Sequence, residues 1–125
     1  MSCCIIDSGV GNLSSIKNSI SNFYESVYIS SNHKDIINAS HLILPGVSSF
    51  KSGMRNLESM NLIDLLNEQV LTKKKPILGI CLGMQLFASY GFENGKTKGL
   101  SWIKGTVEKI KIDENLRLPH VGWND

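Results

Sequence analysis

A short apolar run that ends in a glycine-flanked cysteine most constrains the fold of this 125-residue chain. Residues 77–80 follow Pro76 and have the length and composition of a buried strand. Cys81 comes next, between Gly79 and Gly83, and from Gly83 onward the spacing of apolar residues becomes helical. A strand, a sharp turn at a nucleophilic residue and a helix form a nucleophile elbow, in which a Cβ beside the turn would crowd the thiol. The segment therefore predicts Cys81 as a nucleophile.

Apolar runs alternate with helical patterns along the rest of the chain. Strands are predicted at 2–6, 27–30, 41–44 and 77–80, and helical segments at 13–23, 34–39, 50–57, 62–70 and 83–88. Strands that alternate with helices predict a doubly wound, mostly parallel α/β sheet with helices on both faces, as in flavodoxin-like layering. Residues 90–99 are predicted to form a loop, and the alternation at 102–112 predicts an antiparallel C-terminal edge. We expect a single domain over residues 1–125.

Composition and charge exclude several classes of protein. Hydrophobic residues make up 42% and charged residues 19% of the chain, which is ordinary for a globular domain. Thirteen basic and eleven acidic residues leave a net charge of +2, too balanced to favour a nucleic-acid partner. No apolar stretch has the ~20 residues of a membrane span. The three cysteines lack a Cys-x-x-Cys spacing, so we expect Cys3 and Cys4 to be core thiols, no metal and no cofactor, and a cytoplasmic location.

Three loops are predicted to meet at one crevice. Ligands of parallel α/β sheets bind at the carboxyl ends of the strands, where residues 7–12, residues 45–50 and Cys81 all fall. An oxyanion hole could use the backbone amide of Leu82 and one amide from the 45–50 turn. Gln85 lies one helical turn after Cys81 and could hydrogen-bond the polar end of a substrate.

The sequence does not supply an evident general base. Its three histidines are His33, His41 and His120. We expect the first two to lie at the wrong edge of the sheet, and no acidic residue is placed to orient His120. The catalytic triad is therefore predicted to be incomplete in this chain.

Four motifs occur together in one order. They are Pro45-Gly46-Val47 with Phe50, Gly79-Ile80-Cys81-Leu82-Gly83-Met84-Gln85, Gly99-Leu100 with Trp102-Ile103-Lys104-Gly105, and Pro119-His120-Val121-Gly122-Trp123-Asn124. With them, the chain from Asp7 onward resembles the glutaminase subunits of imidazole glycerol phosphate synthase, a family of class I glutamine amidotransferases. The elbow marks the broader class, and the segment at 119–124 narrows the resemblance to these subunits.

The resemblance implies an activity and a partner. Members of this family hydrolyse the side-chain amide of glutamine through a Cys-His-Glu triad and pass ammonia to a (β/α)₈-barrel synthase in histidine biosynthesis. Matching positions imply that Cys81 forms the γ-glutamyl thioester. They also imply an oxyanion hole of backbone groups, glutamine anchors and a partner interface. The oxyanion hole is Leu82, Val47 and Gly46; the glutamine anchors are Gln85 and Glu93; the interface residues are His120, Trp123 and Asn124.

Two departures from the family pattern carry expectations of their own. The family's His and Glu lie further downstream than residue 125, so we expect a C-terminally incomplete domain that does not hydrolyse glutamine alone. Ser48 stands where the family usually has glycine after Pro-Gly-Val. A peptide flip at this turn, thought to complete the oxyanion hole, would cost ~1–3 kcal/mol if it placed Ser48 at positive φ.

Three other functions are weighed against this one. A paralogous amidotransferase subunit could supply ammonia for amination or amidination of a surface sugar. A truncated, catalytically inactive module could still bind the partner through residues 119–124. A cysteine hydrolase of the α/β-hydrolase type, such as a dienelactone hydrolase, needs an acid and a histidine in order after Cys81, and no clear pair is present.

Overall fold

A parallel sheet of four strands forms the centre of the molecule. The computed structural model describes residues 1–9 and 11–110. The strands are β1 (Ser2–Ile6), β2 (Ser26–Ser30), β3 (His41–Leu44) and β4 (Ile77–Gly79), in the spatial order β2-β1-β3-β4. All four predicted strands are confirmed to within one residue at each end. The order reverses direction at β1, so the carboxyl ends of β1 and β3 border the crevice where such folds bind ligands.

Helices cover the connections between these strands. They are α1 (Ser14–Ile20), α2 (His33–Asn38), α3 (Phe50–Ser59), α4 (Ile63–Asn67) and, after β4, α5 (Leu82–Gln85). A π-helical turn at Glu68–Thr72 extends α4 toward β4. The prediction of a helix from 13 to 23 is too long, because α1 ends at Ile20 and Phe23 is 74% exposed. Within the described residues, no helix is long and apolar enough to cross a membrane.

Side chains of β1 alternate between two separate cores. Cys4 and Ile6 pack in the larger core, on the face covered by α2, α3 and α4. Cys3 and Ile5 pack in the smaller core with residues of the α1 region. Successive side chains of a strand point to opposite faces, so a central strand buried on both sides is apolar throughout. The predicted fold class, an α/β sheet with helices on both faces, is confirmed.

Within residues 1–9 and 11–110, strand β4 is less covered than its composition predicts. In the described residues it pairs with β3 alone and forms the outer strand of the sheet. Leu78 is 57% exposed, and Ile77 and Gly79 are half-buried. A continuous apolar run predicts a strand but does not decide whether both of its faces are covered.

The last three strands form a small second sheet. It contains β5 (Ala88–Gly91), β6 (Thr97–Lys98) and β7 (Ile103–Val107), with β5 antiparallel to β6 and parallel to β7. The alternation at 102–112 correctly indicated a strand, but the expectation of an antiparallel edge there is wrong because β7 runs parallel to β5. The prediction of a loop at 90–99 is wrong, because β5 and β6 form a hairpin. Asn94 and Gly95, in the loop between the paired residues Gly91 and Thr97, have positive φ of 56° and 99°, which Asn and Gly adopt more readily than other residues. Asn-Gly was the sequence signal for this hairpin.

Candidate active site

Cys81 lies at the tip of a tight turn between β4 and α5. The turn is closed by a hydrogen bond from the Gly83 amide to the Ile80 carbonyl oxygen at 3.0 Å. Cys81 has φ of 53° and ψ of −121°, the values that the first central residue of a type II′ turn adopts and that normally favour glycine. A non-glycine residue held there costs about 1–3 kcal/mol, and such strain concentrates at functional sites. The thiol is exposed, as a nucleophile must be.

The glycines on either side of Cys81 are required by close backbone packing. A Cβ at Gly83 would collide with the carbonyl oxygen of Leu44, at the end of β3. A Cβ at Gly79 would lie 2.6 Å from the Cα of Met84, in α5. The expected reason for these glycines, crowding of the thiol, is therefore replaced by another: they let α5 turn back against β3 and β4.

The backbone amide expected to form the oxyanion hole is already hydrogen-bonded. The Leu82 amide donates to the Gly46 carbonyl oxygen at 3.3 Å. That carbonyl belongs to the same peptide as the amide of Val47, the other predicted donor. Because N–H and C=O point in opposite directions across a trans peptide, this peptide presents its oxygen to Leu82 and turns the Val47 amide away. In this conformation the two predicted donors do not converge.

The three predicted loops do come together. An ideal Cβ built on Gly46, after β3, would lie 3.1 Å from the Cβ of Leu82, after β4. A Cβ on Gly11, after β1, would lie 3.4 Å from a methyl group of Val47, after β3. Val47 itself is 74% exposed. The loops after β1, β3 and β4 are therefore neighbours at the carboxyl edge of the sheet.

Gln85 and Glu93 line one cavity of about 510 Å³. Gln85 lies on α5, and its backbone amide donates to the Cys81 carbonyl oxygen at 3.3 Å, so Gln85 is one helical turn from Cys81. Glu93 lies on the β5–β6 hairpin. Phe92, on the hairpin, and Lys109, just after β7, also line the cavity. Phe92 was missed because the hairpin was not predicted, and no sequence signal pointed to Lys109. Cys81 is not among the described lining residues of this cavity.

Neither histidine in the described part of the chain lies near Cys81. His33 begins α2 just after β2, and β2 and β4 are the two outer strands of the described sheet, with β1 and β3 between them. Three strand intervals of ~4.8 Å separate them by about 14 Å, so His33 lies at the wrong edge of the sheet, as expected. His41 begins β3, at the amino end of that strand, where its ring packs 5.3 Å from that of Tyr24. Neither of these two histidines is therefore placed to act as a general base for Cys81.

The predicted interface residues cannot be placed. His120, Trp123 and Asn124 lie outside the described residues. Ser48 is described, and it is not among the residues that adopt positive φ. The strain expected for a flipped turn is therefore not present in this conformation.

The other two cysteines are chemically different from Cys81. Burial raises the pKa of the Cys3 thiol. Burial, with the nearby Asp35 carboxylate as a smaller cause, raises the pKa of the Cys4 thiol to about 12. Both thiols therefore stay protonated and behave as small apolar side chains. Within residues 1–9 and 11–110, no group of three or more His, Cys, Asp or Glu side chains is arranged to hold a metal ion.

A strained cysteine elbow beside a Pro-Gly-Val turn, at the carboxyl edge of a parallel sheet, is the arrangement expected of a class I glutamine amidotransferase. Residues 4–124 match the family described as glutamine amidotransferase class-I, and the chain belongs to it. The predicted resemblance to this class is confirmed.

The curated relatives point to one kind of subunit within the family. The chain is 49% identical over 121 residues to imidazole glycerol phosphate synthase subunit HisH 1 of Campylobacter jejuni, which covers 97% of this chain and 60% of that protein. It is 49% identical over 125 residues to subunit HisH 2 of Vibrio vulnificus, covering 99% and 58%. For subunit HisH 2 of Methanococcus maripaludis the identity is 47% over 120 residues, covering 96% and 59%. The chain thus spans about three fifths of the length of these relatives.

Proposed function

We propose that the protein is the glutaminase subunit of an imidazole glycerol phosphate synthase. It hydrolyses glutamine to glutamate and ammonia and delivers the ammonia to a (β/α)₈-barrel synthase subunit in histidine biosynthesis, in the cytoplasm and without a cofactor. Family membership and the similarity to HisH subunits support this function. The observation that carries it is the exposed Cys81 thiol on a strained turn at the carboxyl edge of the sheet.

In this proposal Cys81 is the nucleophile. Its thiolate attacks the side-chain amide carbon of glutamine, the tetrahedral intermediate expels ammonia, and a γ-glutamyl thioester forms. Water then breaks the carbon–sulfur bond and releases glutamate. A histidine base outside the described residues takes and returns the protons, with an acidic residue orienting it. The Leu82 amide stabilises the oxyanion, a contact worth ~2.7–4 kcal/mol per donor in the transition state.

Rotation of one peptide would activate the site. Turning the Gly46–Val47 peptide over would remove the carbonyl from the Leu82 amide and aim the Val47 amide at the same place. One movement therefore supplies both oxyanion donors, and binding of the synthase would favour it. If the rotation requires positive φ at Ser48, that residue adds ~1–3 kcal/mol to its cost. The resting conformation then has low activity in the absence of the partner.

The cavity beside α5 suits a free amino acid. Glu93 would bind the α-ammonium group of glutamine, and Gln85 would hydrogen-bond its polar end. The cavity also holds Lys109, a cation for the α-carboxylate, so it offers both signs of charge. A zwitterion is bound best where each of its charges meets the opposite one.

The remaining assignments also belong to the proposal. In this proposal residues 1–125 belong to one amidotransferase domain, and its catalytic His and Glu lie outside the described residues. His120, Trp123 and Asn124 contact the synthase near the point of ammonia transfer. The surface-sugar and inactive-module alternatives are not favoured, because the relatives found are synthase subunits.

A diazoketone analogue of glutamine tests this function directly. It should alkylate Cys81, as detected by mass spectrometry of the digested protein, and the synthase subunit should accelerate the labelling. Glutamine should protect Cys81, whereas asparagine, one methylene shorter, should not. Labelling that is indifferent to glutamine would overturn the proposal, as would labelling that falls on Cys3 or Cys4 instead.

A further inference from the structure

A second cavity, of about 580 Å³, lies between α3 and the β5–β6 hairpin. None of the predicted glutaminase residues lines it. Four cationic side chains do, and we call it the cationic cavity; the four are Lys51, Arg55, Lys96 and Lys98. Its volume is within the range of ~300–1,000 Å³ that small-molecule sites occupy.

The four cations have no carboxylate partner in the described residues. The one ion pair found there joins the amino terminus of Met1 to Glu25, far from the cavity. Of the described lining residues, Glu58 alone carries negative charge. The cavity therefore concentrates positive charge in a chain whose net charge is only +2. Clefts lined by one sign of charge attract ligands of the opposite sign.

Two of the lining groups are held in position as donors. The Lys96 ammonium lies 4.2 Å from the centre of the Tyr90 ring, a cation–π contact that restricts the side chain. The Trp102 indole N–H donates to the side-chain oxygen of Asn67 at 2.7 Å. Because that N–H can only donate, it identifies the Asn67 atom that it contacts as the oxygen, and the NH₂ group of this lining residue is left as a donor.

The cavity also has apolar walls. Met54 on α3, Ile63 on α4 and Leu100 after β6 line it between the charged groups. A bare anion would leave these side chains uncovered. Donors around an apolar surface fit an organic molecule that carries a phosphate group, because phosphate presents several strong acceptor oxygens and nearly two negative charges near neutral pH.

We propose that the cationic cavity binds a small organic phosphate, such as a sugar phosphate or a nucleotide. Lys51 and Arg55 are one turn apart on α3 and bind the phosphate from one side, and Lys96 and Lys98 bind it from the hairpin. The organic part lies against the apolar walls. This site is separate from Cys81, and its occupancy does not depend on the proposed glutaminase function.

Titration with glucose 1-phosphate and with adenosine monophosphate tests the proposal, followed by amide NMR shifts of the full chain at constant ionic strength. At least one of the two should shift residues of α3 and the β5–β6 hairpin in a saturable way. The double variant Arg55→Gln/Lys98→Gln should weaken that binding at least tenfold. The matched control Lys17→Gln/Lys34→Gln removes the same charge from α1 and α2 and should bind as the wild type does.

Removal of the one acidic side chain gives a test that loss of folding cannot imitate. Glu58→Gln should tighten binding several-fold, whereas Glu68→Gln, an exposed acid outside the cavity, should leave it unchanged. The proposal is overturned if neither compound produces saturable shifts, if the two double variants weaken binding equally, or if Glu58→Gln fails to tighten it.

Discussion

Strands β1 and β4 both present cysteine, in opposite surroundings. Cys3 and Cys4 lie within β1, between two neighbouring strands, and both are fully buried. Cys81 lies just beyond β4, the outer strand of the described sheet, and its thiol is exposed. The buried thiols have ordinary strand geometry and raised pKa values, whereas Cys81 has a strained backbone. Position in the sheet, rather than residue type, decides which thiol can act as a nucleophile.

The largest expected difference between the two strands is in catalysis. In a protein that carries the complete triad, Cys81→Ala should lower glutamine-dependent ammonia production, measured with the synthase subunit present, by at least about 10⁴-fold, because the covalent intermediate cannot form. Cys4→Ala, the matched change in β1, should leave kcat within about twofold. Comparable losses in the two variants would show that the thiols do not differ in the predicted way.

An added methyl group should destabilise the protein more at the elbow than at the hairpin. Gly83→Ala places a methyl group against the Leu44 carbonyl oxygen and should lower the free energy of unfolding by ~3 kcal/mol or more. The methyl group of Gly95→Ala would meet open space, so only the positive φ at this position should lower the free energy of unfolding, by about 1 kcal/mol. Urea denaturation of the two variants gives the comparison. Equal destabilisation would mean that α5 can move away from β3.

The buried Cys4 thiol should make the free energy of unfolding fall at high pH. The pKa of Cys4 in the folded chain, about 12, exceeds its usual value of 9.0, so between these two pH values the unfolded chain binds fewer protons than the folded chain. The free energy of unfolding should therefore decrease as pH rises from 9 toward 12, by at most ~1.4 kcal/mol per pH unit.

Urea denaturation between pH 8 and 10.5 measures this slope. The free energy of unfolding of Cys4→Ala should fall less steeply with pH than that of the wild type. Ile6→Val, a truncation in the same core, should lower the free energy of unfolding without changing its slope against pH. If stability falls equally steeply with pH in the wild type and in Cys4→Ala, the raised pKa of Cys4 is not the cause of the fall.

Substitution by glycine should have opposite effects at the two positions, although each effect is small. Cys81→Gly relieves a positive φ and should raise the free energy of unfolding by ~1 kcal/mol, reduced in part by the greater entropy of the unfolded chain. Cys4→Gly removes a buried side chain from a central strand and should lower it by ~1–2 kcal/mol. Thermal unfolding followed by circular dichroism measures both changes. A loss of stability in Cys81→Gly would show that the turn is not strained.

The sequence allowed most of the parallel sheet to be predicted. Each of its strands is a short apolar run that ends at a turn, and that pattern is local. The turn at Cys81 was predictable for the same reason, because Gly79 and Gly83 indicate a turn between the strand and the helix. The β5–β6 hairpin was equally local, and an Asn94-Gly95 pair signalled it, but the glycine- and lysine-rich composition around it led to a loop assignment.

Other features depend on contacts between distant residues and could not be predicted. The hydrogen bond from Leu82 to Gly46 sets the state of the site, yet it joins two loops and leaves no pattern in either. The exposure of Leu78 depends on which strand lies beside β4. The cationic cavity likewise combines one face of α3 with the hairpin, and each segment alone contributes only two of its four cations.

The hydrogen bonds between the loops after β3 and β4 also bear on the order in which the molecule assembles. The Ile80 amide donates to the Leu44 carbonyl oxygen at 3.0 Å, and the Leu82 amide donates to the Gly46 carbonyl oxygen at 3.3 Å. Both bonds join segments that are far apart along the chain, and closing a long loop costs more chain entropy than closing a short one. We therefore expect the turn that carries Cys81 to become ordered later in folding than the β5–β6 hairpin, whose strands are neighbours in sequence. Hydrogen-exchange pulse labelling during refolding should then protect the hairpin amides before those of Ile80 and Leu82.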